Sequence, residues 1–225
     1  MSGHHQSVFV LKEMVTQSGD MRRAVFLDRD GVICREEGYI SDPRRLQLLP
    51  GSGDAIRLFN RNALTAVVIT NQSGVARGFF PEAAIAEMNR AMKERLEEQG
   101  ACLDGIYYCP HHPEGIIEPY RKECDCRKPA AGLLMRAARD HSIDLSRSYL
   151  VGDKRTDLEC ACRAGVKGIL VLTGYGAAEY RLMPPDPGAK PVYVAEDLLD
   201  AARWIIHDIR SPNHEDIDSQ AECHR

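Results

Sequence analysis

Two aspartates follow one of the most apolar stretches in the chain. Residues 24–27, Ala-Val-Phe-Leu, run directly into Asp28, and Asp30 and Gly31 come after it. At the carboxyl end of a buried parallel strand, Asp28 would point into the crevice where α/β proteins bind ligands, and the turn would carry Asp30 over it. One carboxylate can attack phosphorus and hold a divalent cation while the other gives and takes a proton. The alternative is an acidic turn that only closes a strand.

Polar groups also follow two further apolar segments. Residues 64–69 lead into Thr70 and a turn, Asn-Gln-Ser-Gly, and residues 148–151 lead into Gly-Asp153-Lys. The Thr70 hydroxyl and the N–H groups of the turn can hold a phosphoryl group. Asp153 next to Asp28 would be repulsive without a cation, and oxygen ligands favour Mg²⁺. The sequence therefore predicts a magnesium site that binds phosphate.

A pair of cations, Arg127 and Lys128, precedes Pro129, which we expect to open the following helix. A lysine here can neutralise charge that builds on phosphorus, although a solvated basic pair is the alternative. For Asp157, we favour an acid in the first turn of a helix over a partner of Lys154.

Cysteine and histidine cluster between residues 109 and 126. Cys109 and His111 are followed by Cys124 and Cys126, and three thiolates with one imidazole satisfy tetrahedral Zn²⁺ without an open position. His112 is the competing ligand, but we favour His111. The sequence predicts a structural zinc loop that orders Arg127 and Lys128.

Apolar segments with strand character alternate with segments of helical period. This βα alternation predicts a single α/β domain with a doubly wound, Rossmann-like parallel sheet, helices on both faces and no large cap. The strands are expected at 24–27, 64–69, 105–108, 148–151, 168–172 and 192–194, and the helices at 52–62, 81–99, 132–141, 157–164 and 196–209. We expect residues 1–22 to be an extension, 23–210 the domain and 211–225 a polar tail.

The composition narrows the classes of partner. The 225 residues carry a net charge of -4, which argues against nucleic acid as the main partner. No apolar run reaches the length of a membrane span, and the run at residues 8–11 is too short for a signal peptide. We expect a cytoplasmic protein that binds a small molecule and acts as a monomer.

The motifs together resemble the haloacid-dehalogenase-like phosphohydrolase superfamily and, within it, the heptose-bisphosphate phosphatases. The resemblance rests on FLDRDGVI, TNQSGVARG, DGIYYCPHHPEG, CDCRKP and YLVGDKRTD, in this order. Val32 departs from the usual Thr of the first motif. The family's activity would be removal of the 7-phosphate of D-glycero-D-manno-heptose 1,7-bisphosphate, on the route to nucleotide-activated heptose for lipopolysaccharide or other surface glycans. The alternatives are histidinol-phosphate phosphatase or another small phosphomonoester phosphatase and, outside enzymes, a catalytically inactive zinc-loop binding module.

The resemblance implies a role for each matching residue. Asp28 would be the nucleophile and Asp30 the general acid and base. Mg²⁺ would be held by the Asp28 side chain, the Asp30 backbone carbonyl and Asp153, and the zinc ligands would be the cluster named above. The transferring phosphoryl group would be held by Thr70, Asn71 and Lys128. The other substrate contacts would come from Glu36, Glu37, Gly38, Tyr39, Gln72, Ser73, Arg127 and Lys154.

Overall fold

Six parallel strands form one sheet in the computed structural model, which describes residues 21–184 and 188–211. The strands are β1 Ala24–Leu27, β2 Thr65–Asn71, β3 Gly105–Cys109, β4 Tyr149–Gly152, β5 Lys167–Val171 and β6 Tyr193–Ala195. Their order across the sheet is β3-β2-β1-β4-β5-β6, and every neighbouring pair is parallel. The direction of winding reverses between β1 and β4, and a crevice opens at the carboxyl ends of strands at such a point.

Helices cover both faces of the sheet, which confirms the predicted fold class. They are α1 Ser52–Arg61, α2 Ala83–Glu98, α3 Gly132–His141, α4 Arg155–Ala164, α5 Gly176–Arg181 and α6 Leu198–Arg210. Alternate residues of β1 belong to different cores: Val25 and Leu27 pack with α1, α2 and α6, and Ala24 and Phe26 pack with α3 and α4. Burial on both faces explains why β1 is an unbroken apolar run.

Several details of the elements differ from the sequence-based expectation, among them the starts of α2 and α6, which lie two residues later than expected. Helix α5 is absent from that expectation, because six residues are too few to display a helical period. Helix α4 begins two residues earlier than expected. Pro129 does not open α3, which begins at Gly132, because residues 127–130 form a turn in which the Ala130 N–H donates to the Arg127 carbonyl.

The predicted extension and tail lie almost entirely outside the described residues. No large cap is inserted in the described part of the chain. The two longest segments between the named strands and helices are residues 28–51, between β1 and α1, and residues 110–131, between β3 and α3. None of the described helices has the length and apolar character that a bilayer crossing requires.

Candidate active site

Three carboxylates and an ammonium group meet beneath the carboxyl ends of β1 and β4. Oxygen atoms of Asp28, Asp153 and Asp157 all lie within 4.8 Å of one another. Asp28 follows β1 directly, Asp153 follows β4 directly, and Asp157 lies in the first turn of α4. The spacing of the strands in the sheet brings these groups together, although 129 positions separate Asp28 from Asp157 in the chain.

Lys128 neutralises this cluster from within the protein. Its Nζ lies 2.6 Å from Asp157 Oδ1, 3.0 Å from Asp28 Oδ1 and 2.9 Å from the carbonyl oxygen of Ile69. Burial alone would lower the pKa of Lys128, but the charges of Asp157 and Asp28 outweigh it and raise that pKa. Burial would likewise raise the pKa of Asp28, but Lys128 and Lys154 hold it below its usual value. Asp28 is therefore a carboxylate at neutral pH.

The Asp153 carboxylate has a weak ion pair with Lys154, whose Nζ lies 3.7 Å from Oδ1 and so beyond hydrogen-bond distance. Burial, with the charge of Asp28 added to it, raises the pKa of Asp153 to about 7. Its Oδ2 accepts the Tyr175 N–H at 2.9 Å, whereas Oδ1 is buried without a hydrogen bond from any described residue. Two neighbouring carboxylates with one unbonded buried oxygen fit a hard divalent cation, which also suits the oxygen-only donor set.

Asn71 fixes the position of Lys128. The side chain of Asn71 accepts the Lys128 N–H at Oδ1 and donates from Nδ2 to the Lys128 carbonyl, both at 3.0 Å. The end of β2 therefore holds the turn that carries the lysine. The polar atoms of the Asn71 side chain are engaged with the backbone of Lys128 rather than turned to the cavity as free groups.

A cavity of about 340 Å³ opens above these groups. Most of the predicted site residues line it, and the structure adds Ile40, Phe80, Thr156 and Tyr175. The predicted residues that line it are Asp28, Asp30, Glu36, Gly38, Tyr39, Thr70, Asn71, Gln72, Ser73, Arg127, Lys128 and Lys154. Glu37 is not brought to the cavity, and its carboxylate pairs with Arg45 at 3.4 Å.

Lys154 is held between two sides of the cavity. Its Nζ lies 3.3 Å from Glu36 Oε2 and 4.5 Å from the centre of the Tyr175 ring. This ion pair joins the loop after β1 to the loop after β4. Tyr175 carries no signal in the sequence, because its role depends on the contact with Lys154 across the fold.

The predicted metal loop brings its four ligand atoms together. The three sulfur atoms of Cys109, Cys124 and Cys126 lie 3.2–3.5 Å apart, and His111 Nδ1 is 3.3 Å from Cys126 Sγ. His112 faces elsewhere: its Nε2 lies 3.0 Å from Arg77 Nη2, and its Nδ1 accepts the Glu114 N–H. Three sulfurs and one ring nitrogen at these separations match the ligand set of a closed zinc site.

Comparisons with known proteins agree with this geometry. The HAD-hydrolase-like family model matches residues 125–201. The D-glycero-beta-D-manno-heptose-1,7-bisphosphate 7-phosphatase of Escherichia coli strain K12 is 46% identical over 83% of this chain and 89% of its own length. The D-glycero-D-manno-heptose-1,7-bisphosphate 7-phosphatase of Thermosynechococcus vestitus is 42% identical over 82% of this chain and 95% of its own.

A solved structure extends the similarity to three dimensions. The D,D-heptose 1,7-bisphosphate phosphatase from B. bronchiseptica, complexed with magnesium and phosphate, matches with a TM-score of 0.73 and 34% identity, and the match covers 83% of this chain and 99% of that one. Family members of this type use a divalent metal. The chain belongs to the family of the D-glycero-D-manno-heptose-1,7-bisphosphate 7-phosphatases, within the haloacid-dehalogenase-like hydrolases.

Proposed function

We propose that the chain removes the 7-phosphate of D-glycero-D-manno-heptose 1,7-bisphosphate in the synthesis of nucleotide-activated heptose. The observation that carries this proposal is the meeting of Asp28, Asp153 and the buried Lys128 under one cavity, in a chain that is 46% identical to an enzyme of that name. The product would be the heptose 1-phosphate and inorganic phosphate.

Asp28 acts as the nucleophile. Lys128 and the Arg29 N–H both bond Oδ1, and no hydrogen bond from the described residues reaches Oδ2. Oδ2 attacks phosphorus, and the bond to the sugar oxygen breaks. Phosphoryl transfer mainly requires that the phosphoryl group is positioned and its negative charge is neutralised. Lys128 and the Thr70 hydroxyl supply both. Water then attacks the aspartyl phosphate and releases phosphate.

Magnesium would be held by the Asp28 carboxylate, the Asp30 backbone carbonyl and Asp153, and would neutralise charge on the carboxylates and the phosphoryl oxygens. The Asp30 carboxylate stays out of this ligand set and faces the cavity, where it gives a proton to the leaving oxygen and takes one from water.

The sugar lies between loops rather than under a cap. Glu36, Gly38 and Tyr39 form one wall of the cavity, Gln72 and Ser73 another, and Arg127 and Lys154 supply positive charge. Glu37 is left out of the proposed contacts, since its carboxylate pairs with Arg45.

Zinc would be held by Cys109, His111, Cys124 and Cys126 in a closed, structural site. The Arg127 guanidinium donates to the carbonyl oxygen of His111 at 3.3 Å. The metal loop therefore supports a cation that lines the cavity.

The test is turnover by the Mg²⁺-loaded chain on both anomers of the heptose bisphosphate, with histidinol phosphate alongside. We expect faster hydrolysis of the heptose bisphosphate and complete loss of it in Asp28→Asn, with the native fold retained as judged by circular dichroism. Asp54→Asn, an exposed aspartate of α1, is the matched control and should retain full activity. Preference for histidinol phosphate, or normal turnover by Asp28→Asn, would contradict the proposal.

A further inference from the structure

A buried arginine, Arg29, binds the Asp30 carboxylate. The Arg29 side chain is 3% exposed, and it makes two parallel hydrogen bonds to Asp30: Nε donates to Oδ1 at 3.0 Å, and Nη2 donates to Oδ2 at 2.8 Å. This two-point contact fixes the rotation of the carboxylate as well as its direction. A lysine could not reproduce it, because an ammonium group has no planar fork.

Helix α2 holds the other end of the arginine. Arg29 Nη1 donates to Asn89 Oδ1 at 3.2 Å, and Asn89 is buried. The amide oxygen must face the guanidinium, since an arginine nitrogen only donates. Arg29 is therefore bonded at both ends in a site with little access for water, where such hydrogen bonds are costly to break.

The two oxygens of Asp30 differ in the bonds they accept. Oδ2 accepts from Arg29 and from Gln72 Nε2 at 2.8 Å, which fills its two positions. Oδ1 accepts only from Arg29 among the described residues, and 22% of the Asp30 side chain is exposed at the cavity. One lone pair of Oδ1 remains for a proton.

We infer that Asn89 and Arg29 are positioning residues that present Oδ1 of Asp30 to the leaving oxygen of the substrate. The inference rests on the proposed function, which makes Asp30 the general acid. As phosphorus passes to Asp28, the bond from phosphorus to the ester oxygen breaks and that oxygen takes the proton from Oδ1. In the second half of the reaction, the attacking water gives its proton back to Oδ1 as the bond to Asp28 breaks.

Substrates with leaving groups of different basicity can distinguish misplacement of the Asp30 carboxylate from general damage to the fold. A sugar alkoxide leaves only with a proton, whereas p-nitrophenolate leaves without one. The ratio kcat/KM reports the transfer to Asp28 and is insensitive to the later hydrolysis of the aspartyl phosphate. Misplacement of Asp30 should therefore lower kcat/KM for the sugar phosphate and spare p-nitrophenyl phosphate.

The experiment compares Asn89→Leu and Asn89→Ala in the full chain loaded with Mg²⁺. Both variants remove the acceptor for Arg29, the first with similar side-chain volume and the second without added bulk. We expect kcat/KM for the heptose bisphosphate to fall about tenfold, a part of the factor that general acid catalysis contributes, and that for p-nitrophenyl phosphate to change less than about twofold. Met92→Leu, a buried change on the same helix, should alter neither.

Equal losses on both substrates, or no loss on either, would overturn the inference and leave the proposed function standing. An unmodified chain that fails to hydrolyse the heptose bisphosphate would instead overturn the proposed function, and the inference with it. Arg29→Lys keeps the charge but loses the fork, and a loss confined to the sugar phosphate in that variant would support the inference independently.

Discussion

Lys128 makes its charged and polar contacts inside the protein. Its ammonium group forms ion pairs with Asp28 and Asp157 and donates a hydrogen bond to the carbonyl of Ile69. A buried ion pair adds little net stability, but removing one partner leaves the other charge without compensation. Lys128 is therefore both a residue of the proposed active site and a residue on which folding depends.

We predict that Lys128→Met abolishes turnover and lowers the free energy of unfolding by about 3–5 kcal/mol. Methionine keeps most of the volume, but two buried carboxylates then face each other without the ammonium group. Urea unfolding at neutral pH without added Mg²⁺ measures the change.

The control is the double variant Lys128→Met with Asp157→Asn. It removes one of the stranded charges and should recover a clear part of the lost stability while activity stays absent. If Lys128→Met cost less than about 1 kcal/mol, the size of an ordinary hydrogen bond, the buried-charge account would be wrong.

Among the elements, the metal loop, residues 109–126, packs against the loop that follows β2. The N–H groups of Ile116 and Ile117 both donate to the Ala76 carbonyl, at 2.7 and 3.0 Å. A Cβ atom on Gly115 would collide with Ala76, so the two loops lie in close contact. A metal ion that orders residues 109–126 would thus also support the loop after β2, which places Ser73 at the cavity.

We predict that Cys124→Ser, or removal of zinc by a chelator with Mg²⁺ restored, lowers both the thermal midpoint and kcat/KM. The physical reason is that Arg127 and the loop after β2 lose their support. Zinc content, differential scanning calorimetry and turnover are the three measurements. Cys102→Ser, which changes an exposed free thiol, is the matched control and should leave all three unchanged. Full activity in zinc-free protein would exclude a positioning role for the loop.

Two loops meet at the mouth of the cavity through a pair of exposed rings. Tyr39 and Phe79 stack with their centres 4.5 Å apart, although each is at least half exposed. Tyr39 lines the cavity and Phe79 does not, so an effect of Phe79 on substrate binding would have to pass through Tyr39.

For Phe79→Ala we predict a KM for the heptose bisphosphate about fivefold higher, with kcat nearly unchanged. An aromatic pair contributes about 1 kcal/mol, which corresponds to that factor. Steady-state kinetics test this, and Phe79→Tyr should behave as the unmodified chain because it keeps the stack. A fall in kcat without a change in KM would show that the pair serves something other than binding.

At the scale of the whole molecule, a buried hydroxyl ties the sheet to its last helix. Tyr149 of β4 donates to Asp208 of α6 at 2.6 Å, and Lys167 of β5 bonds the same carboxylate at 2.8 Å. Burial, together with Asp208, raises the pKa of Tyr149 above its ordinary value. The stability contributed by this proton is present in full below about pH 10, where tyrosine in the unfolded chain titrates, and is lost as the pH rises further.

We predict that Tyr149→Phe costs about 1 kcal/mol at neutral pH and makes the decline of stability above pH 10 shallower. Denaturant unfolding across pH 8–12 gives both quantities. Tyr180→Phe, at an exposed tyrosine of α5, should change neither. An identical alkaline decline in Tyr149→Phe would assign that decline to other groups.

Local pattern is sufficient to predict the sheet and the groups at its edge. Each strand is a short apolar run, and parallel strands end on the same side, so the amino-acid sequence alone predicts that Asp28, Thr70 and Asp153 lie together. The cluster of Cys109, His111, Cys124 and Cys126 is predictable because close pairs of cysteine and histidine are seldom found by chance.

Contacts between residues that lie far apart in the sequence are not predictable from local pattern. Asp157 is an acid in the first turn of a helix, as expected, and its Oδ2 accepts the Lys154 N–H. Its other carboxylate oxygen forms an ion pair with Lys128, which the sequence does not indicate. Arg29 and Asn89 are 60 residues apart, and no spacing rule relates them. Glu37 stands beside Glu36 in the sequence, yet only Glu36 reaches the cavity, because the direction of a loop side chain depends on what the loop packs against.

The winding order also has a consequence during protein synthesis. A nascent chain that has grown as far as Cys109 already contains β1, β2 and β3, and with them Asp28 and Thr70. It lacks Lys128, and it lacks β4, which must dock beside β1 to deliver Asp153. A chain that is only half synthesised therefore cannot act as a phosphatase. Hydrolysis can start only after the later strands have joined the sheet.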